Sequence, residues 1–388
     1  MNFDKIIDRV GTHSAKWDML PSLYGLNPAE AISMWVADMD FEPPQDVTRA
    51  VRNMADHGVY GYYADPSSCN AAISGWMDRR HGWSVDPNHI FYTHGLVNAV
   101  GLCLCAYSKP GDGIVIFTPV YHAFARTIKA ADRTVVECPL VQNNGRYEMD
   151  FDAYDAMMTG AEKVLILCSP HNPGGRVWTA AELQGLAAFA KRHDLLILSD
   201  DIHHDITLGT KYVPIENAAP DCVDRLVMLT AASKTFNIAG THTGNVIIKD
   251  DKLRQTFSTT MQATGISPNS FGMAMVEAAY AHGDTWVDGL CAYIAENARI
   301  FDEGIAAVPG LKSMPLEATY LAWVDFADTG MTAEEYRNRV VKTAKIAPNY
   351  GETFGTGGET FLRFNLGTQR ARVVEAVERL QDAFADLQ

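Results

Sequence analysis

Between residues 90 and 250, short apolar runs alternate with amphipathic stretches. The runs span residues 114–118 (IVIFT), 164–168 (VLILC), 195–199 (LLILS), 226–229 (LVML) and 246–248 (VII). Successive side chains of a strand point to opposite faces, so a run that is apolar at every position must be covered on both. These runs therefore predict the strands of a sheet with helices on each side. One intervening helix is legible in detail. Thr179 and Glu182 form a T-x-x-E capping box, Leu183, Leu186, Ala187 and Ala190 repeat at helical spacing, and Lys191, Arg192 and His193 close the last turn. The macrodipole favours cations in that last turn. Strand, capped helix and strand make a βαβ unit and predict a doubly wound α/β domain.

The two ends read differently. Residues 1–45 hold Pro21, Pro28 and the pair Pro43-Pro44 around WVADMDF, which predicts an extended arm. Residues 281–388 mix helical stretches with strand-like pieces at 320–326 and 360–366, which predicts a smaller α+β domain. The expected organisation is an arm (1–45) joining the small domain, a large domain (46–280) and a small domain (281–388). Gly355, Gly357 and Gly358 precede a strand rather than a helix, so they read as a mobile loop and not as a dinucleotide fingerprint.

Composition narrows the functional classes. The 388 residues are 47% hydrophobic and 20% charged, an ordinary globular balance. Forty-seven acidic against 32 basic residues give −15, and no dense Lys/Arg run occurs. That argues against nucleic acid and against an anionic membrane surface. Seven cysteines, an odd number with no CxxC pair, read as reduced thiols. The first 20 residues lack a signal-peptide apolar core and no window of 18 apolar residues occurs, so a cytoplasmic location is expected.

Most polar groups of interest sit just after the apolar runs, where open α/β sheets bind ligands. Asn172 follows the second run, Asp200, Asp201, His203 and His204 the third, and Ser233 and Lys234 the fourth. Each alone has a plain structural reading. Asn172 between prolines suits a turn, the aspartates suit a cap, and a lysine is usually solvated. Of two adjacent aspartates only one can face a given site. His203 and His204 lack the HExxH pattern, so no metal site is expected.

The motifs taken together are another matter. AASKTFNIAG (231–240), PHNPGGRVW (170–178), LSDDIHHD (198–205) and WVADMDF (35–41), with YGYY (60–63), TPVY (118–121) and FLRFNLGT (361–368), resemble the PatB/MalY type of cystathionine β-lyase. These are pyridoxal 5′-phosphate (PLP) enzymes of the fold-type I aminotransferase superfamily, and the resemblance runs nearly end to end. It implies a large mixed-sheet domain with a smaller α+β domain, and a homodimer with active sites at the interface. Lys234 would form the covalent link to PLP, and Asp200 would pair with the pyridine nitrogen. Asn172 and His203 would address the ring's 3′-oxygen, and Tyr121 would stack on the ring. Gly95, Leu96 and Val97 at a helix N-terminus would hold the phosphate, a role that free N–H donors and the dipole favour. Ser233 would contact the phosphate or the lysine loop, and Tyr62 would reach in from the neighbouring subunit. Arg363 would clamp the substrate α-carboxylate, with Ala37 contacting it through backbone.

Four positions depart from the expected pattern: Asp201 for glutamate, Ser169 for asparagine, His94 for proline, and His242 for a small residue. The implied reaction is carbon–sulfur β-elimination on L-cystathionine or a related S-substituted cysteine, as in methionine biosynthesis. Transamination by the same residues is the alternative, and a regulatory role on the same scaffold a further one.

Overall fold

The computed structural model describes residues 1–387. A seven-stranded sheet forms from β1 (Ile90–Thr93), β2 (Gly113–Ile116), β3 (Thr134–Glu137), β4 (Glu162–Cys168), β5 (Leu196–Asp200), β6 (Leu226–Thr230) and β7 (Gly244–Ile247). Its order is β1-β7-β6-β5-β4-β2-β3. The neighbours from β6 to β3 pair in parallel, while β7 runs antiparallel to both β6 and β1. This is the mixed sheet that the apolar runs implied, with strand ends shifted by one or two residues.

Burial on both faces explains the unbroken apolar runs. Ile114, Ile116, Val164, Ile166, Leu198 and Val227 pack with helix α1 (Leu96–Tyr107) on one face. Val115, Leu165, Leu167, Ile197 and Met228 face the other way, onto Leu183, Leu186 and Phe189 of helix α2 (Ala180–Arg192). Each such side chain contributes about 1.5–3 kcal/mol by leaving water. Helix α2 starts where the sequence placed it. Thr179 Oγ1 accepts from Glu182 N–H, and the Glu182 carboxylate accepts from Thr179 N–H.

Residue 280 falls inside helix α3 (Ser270–His282), and the break comes at Gly283, before the long helix α4 (Asp284–Ala306). A four-stranded sheet follows: β8 (Lys312–Ser313), β9 (Leu321–Asp325), β10 (Asn349–Tyr350) and β11 (Phe361–Asn365), in the order β8-β9-β11-β10. Helices α4 and α5 (Arg370–Ala383) cover it through a separate apolar cluster with Phe301, Ile305, Val324, Phe364, Val373 and Leu380.

The N-terminal segment is less extended than its prolines suggested. It forms short helices at Ala15–Asp18 and Leu20–Tyr24, because Pro21 sits in a first turn, where its missing N–H costs nothing. Ile32–Ser33 then pairs in parallel with Ile346–Ala347 beside the small sheet. The glycine-rich segment before β11 is anchored rather than loose. Thr356 N–H and hydroxyl both donate to Glu137, and Gly355, at φ +94°, sits so close to Thr118 that a Cβ would lie 2.8 Å from its Cγ2. Only glycine fits that approach.

Candidate active site

The carboxyl ends of β1, β2, β4, β5 and β6 open onto a cavity of about 510 Å³. Four of the turns that reach it carry the chemistry. β1 leads through Gly95, at φ +83°, into the N-terminus of α1. β4 leads through Pro170 to Asn172, which Pro173 follows, and both prolines are preceded by cis peptides. β5 ends on Asp200 itself, and β6 delivers Ser233 and Lys234 in a short helical turn. The small sheet adds Arg363 from the middle of β11, and the arm adds Ala37.

Gly95, Leu96, Val97, Tyr121, Asn172, Asp200, His203, Ser233, Lys234, Arg363 and Ala37 all line this cavity. Tyr62 does not. It stands fully exposed, at 101% of its reference area, in a coil segment where Val59 and Tyr60 are exposed as well.

The electrostatics are those of a dry, under-partnered site. Lys234 Nζ donates to the Ala37 carbonyl at 2.6 Å, an acceptor shared with the Tyr320 hydroxyl at 2.9 Å. Burial pushes the Lys234 ammonium down to about 8, against the pull of Asp38 and with a further push from Arg363. Burial raises the Asp200 carboxyl to about 7, opposed by the Ile202 N–H it accepts and by Lys234. His203 is held well below its ordinary value by burial and by Lys234 and Arg363, and its Nδ1 has no partner. Arg363 donates through Nη1 to Asn172 Oδ1 at 2.8 Å and through Nη2 to the Trp35 carbonyl at 2.9 Å and to Asn349. Its Nε is buried without a partner, and burial lowers its pKa to about 10. A buried carboxylate, imidazole and guanidinium with valences to spare are what a bound polar ligand would complete.

Residues 30–380 match the aminotransferase class I and II family. The chain belongs to that family. It is 37% identical to cystathionine beta-lyase PatB of Bacillus subtilis, over 99% of this chain and 100% of that one. It is 31% identical to protein MalY of Escherichia coli, over 98% of each. The solved structure of cystalysin from Treponema denticola, which contains a pyridoxal 5′-phosphate cofactor, superposes with a TM-score of 0.95 at 34% identity, covering 100% of this chain and 99% of that one.

Behind the cavity of this aminotransferase-family chain lies a second polar cluster, which the motif at 198–205 reaches only at His204 and Asp205. Asp205 accepts from Trp76 Nε1 at 2.8 Å, His81 Nε2 at 2.7 Å and Thr235 Oγ1 at 2.7 Å, with His204 Nε2 at 3.2 Å. Its carboxyl is held well below the usual range, because His204 and His81 outweigh burial. Among the described residues, His81, His204 and Asp205 are the one group close enough to hold a metal ion. Asp205 already accepts from three donors there, and Arg79, Arg80 and Lys211 line the same hollow. Asp201 belongs to this rear side too, accepting from the Tyr212 hydroxyl at 2.7 Å.

Of the other departures, Ser169 is buried and its N–H donates to the Asp200 carbonyl at 2.9 Å. His94 and His242 both line the cavity, His94 reaching the Ser267 carbonyl at 3.2 Å and His242 holding a left-handed backbone at φ +47°. Trp35, His122, Arg126 and Asn349 also line the cavity and were not singled out from the sequence. They lie outside strand-end motifs, and only the position of Tyr121 in TPVY hinted at its neighbours.

Proposed function

We propose that this chain is a PLP-dependent carbon–sulfur β-lyase that converts L-cystathionine or a related S-substituted cysteine, with water, to a thiol, pyruvate and ammonia. One observation carries the reading: Lys234, Asp200, Asn172 and Arg363 converge on one cavity in a chain related over its whole length to cystathionine β-lyases.

The residues fit the cofactor. Asp200 is a buried carboxylate with Lys234 as its nearby cation, so a protonated ring nitrogen would supply the counter-charge it needs. The free Nδ1 of His203 and the Asn172 amide suit the 3′-oxygen. Leu96 and Val97 open α1, where the first N–H groups have no intrahelical acceptor and a phosphate is favoured. PLP, when bound, supplies the electron sink that makes bonds at the amino-acid Cα labile.

The protein supplies the rest. Lys234, brought down to about 8, has a share of neutral amine at neutral pH and can take and return a proton at the substrate Cα. Arg363, fixed through Asn172, Asn349 and the Trp35 carbonyl, presents a rigid fork to the α-carboxylate and so sets which Cα bond is aligned for cleavage. The arm lies against β11, because Asn365 Nδ2 donates to the Val36 and Asp38 carbonyls, and this excludes water from the lysine.

The reading extends to a homodimer in which Tyr62 completes the neighbouring site. The exposed Val59, Tyr60 and Tyr62 support it, since bare aromatic side chains of this kind are enriched in interfaces. It also includes the division into an arm (1–45), a large unit and a small unit, with the boundary expected at 280 moved to Gly283 between α3 and α4, supported by the separate apolar cluster around β9 and β11. A reducing, cytoplasmic setting is supported by seven free cysteines. Among the described residues, no helix is long and apolar enough to cross a membrane.

The deciding experiment is a coupled pyruvate assay with thiol detection on the PLP-loaded protein and L-cystathionine. Equal release of pyruvate and thiol is expected. Conversion that depends on an added keto acid, with no pyruvate from a panel of cysteine thioethers, would replace the lyase by a transaminase.

A further inference from the structure

We propose that Arg126 and His122 form a second anion subsite of the cavity, taking a carboxylate on the departing half of the substrate. The proposal rests on the lyase reading and names the substrate class within it: S-substituted cysteines whose leaving thiol carries an acid.

The helix Ala123–Ala130 places the two side chains. His122 is its N-cap and Arg126 follows four residues on, so they project from one face, one turn apart. Both line the same cavity as Arg363. Arg363 is held by Asn172, Asn349 and Trp35, whereas the side chain of Arg126, an exposed residue, has no hydrogen bond or ion pair among the described residues. The Nδ1 of His122 is buried and unpartnered. Asp200 is the single acidic residue of the lining and sits at the strand-end floor beside Lys234. The outer wall thus carries Arg126 with no acidic residue beside it among the described residues of the lining. Burial, then Arg363 and Arg126, push the His122 imidazole down to about 4, so at neutral pH it is uncharged and its ring offers one N–H.

An exposed guanidinium left without a partner at the mouth of the cavity is a ready donor to a carboxylate. The geometry puts this subsite next to the first one. Arg363 lies over the Phe354 ring at 5.0 Å, and His122 meets the same ring edge-on at 5.7 Å. One aromatic ring therefore separates the α-carboxylate clamp from the second site. A substrate with a carboxylate at each end spans both, and a neutral alkyl thioether uses only one.

The test compares S-(2-carboxyethyl)-L-cysteine with S-propyl-L-cysteine, which have similar length and differ in the terminal charge. The quantity read is the ratio of their kcat/KM values in the wild-type holoenzyme and in Arg126→Gln, Arg126→Lys and His122→Phe. The expected result is a ratio that favours the acid, falls about tenfold in Arg126→Gln, and is largely kept in Arg126→Lys. A smaller, severalfold fall is expected in His122→Phe. A second readout is calorimetric binding of glutarate against butyrate to the holoenzyme, where the glutarate advantage should vanish in Arg126→Gln. An unchanged ratio in Arg126→Gln overturns the proposal. So does weakened PLP affinity with an unchanged ratio, which would assign Arg126 to the phosphate. If neither thioether nor L-cystathionine yields thiol in the wild type, the lyase reading fails, and the glutarate comparison decides the subsite alone.

Discussion

The segment 200–205 faces two ways, and its two sides obey different rules. Toward the cavity, Asp200 accepts one backbone N–H, and His203 Nδ1 has no hydrogen-bond partner among the described residues. Toward the rear, Asp205 accepts from Trp76, His81 and Thr235, and Asp201 from Tyr212. Both sides are buried, acidic and histidine-bearing, so residue type does not separate them. The load on the two carboxylates does: Asp205 accepts from three side chains and Asp200 from one backbone N–H, although Asp201 Oδ2 and His204 Nε2 on the rear also lack a hydrogen bond among the described residues. A buried network whose members are mostly paired stabilises and holds a geometry, while one with spare valences is organised for a ligand. Thr235, adjacent to Lys234, links the two sides: the rear carboxylate holds the turn on which the front lysine is mounted.

The largest effect that sharpens this contrast comes from the front. Lys234→Ala should cut thiol release by at least about 10³-fold, in line with loss of a general acid–base group plus its covalent role. Its unfolding midpoint should not fall, since a poorly solvated ammonium is removed. A clear loss of stability would place Lys234 with the rear network and break the contrast. Asp205→Ala should do the reverse, lowering unfolding free energy by roughly 3–5 kcal/mol, the usual loss when one partner of a buried pair is removed and the others are stranded. Denaturant titration checks it. Unchanged stability with lost turnover would make Asp205 a front-side group.

Arg363→Lys should reduce kcat/KM by about 10–100-fold, which is ~1.4–2.7 kcal/mol, because a point charge cannot reproduce the bidentate fork. Fold and Lys234 chemistry should survive, so steady-state kinetics and cofactor absorbance together report it. The pH dependence of cofactor uptake is the next test. Covalent capture needs the neutral amine of Lys234, so the rate should climb as pH rises toward about 8 and level off above it, where an ordinary lysine would keep climbing. A profile still rising at pH 10 would show that burial does not depress this amine. The smallest effect belongs to Asp201→Asn. Burial raises the Asp201 carboxyl to about 8, so in the wild type its stabilising protonated form is complete below the unfolded value near 4 and is lost as pH climbs through 8. The amide keeps that neutral form. The variant should therefore gain stability over the wild type between pH 5 and 8, by about 1 kcal/mol or more at the upper end, and melting curves at both pH values measure it.

Much of this was legible without coordinates. The strand runs around 164–168 and 195–199, the capping box at Thr179 and Glu182, and the polar residues after each run all rest on contacts within a few positions of the chain. Local chemistry is enough to specify such features. The misreadings were local rules overridden by packing. Prolines near residue 21 suggested extension, yet Pro21 fits a helical first turn, and glycines that suggested looseness are there because Thr118 and backbone press against them. Arg126 and His122 carried no motif, and the rear partners of Asp205 come from Trp76 and His81, far away along the chain.

The sequence by itself determined which residues end the strands, which helix is capped and where a lysine, an aspartate and an asparagine stand relative to the sheet, because periodicity and turn chemistry act over short range. Tertiary structure alone decided which of the two adjacent aspartates faces the cavity and which histidine is left unpaired. It also decided that Arg363, on another sheet, and Ala37, on the arm, close over Lys234. Those outcomes depend on burial and on partners contributed by distant segments, and a side chain's pKa and spare valences exist only once those segments have met.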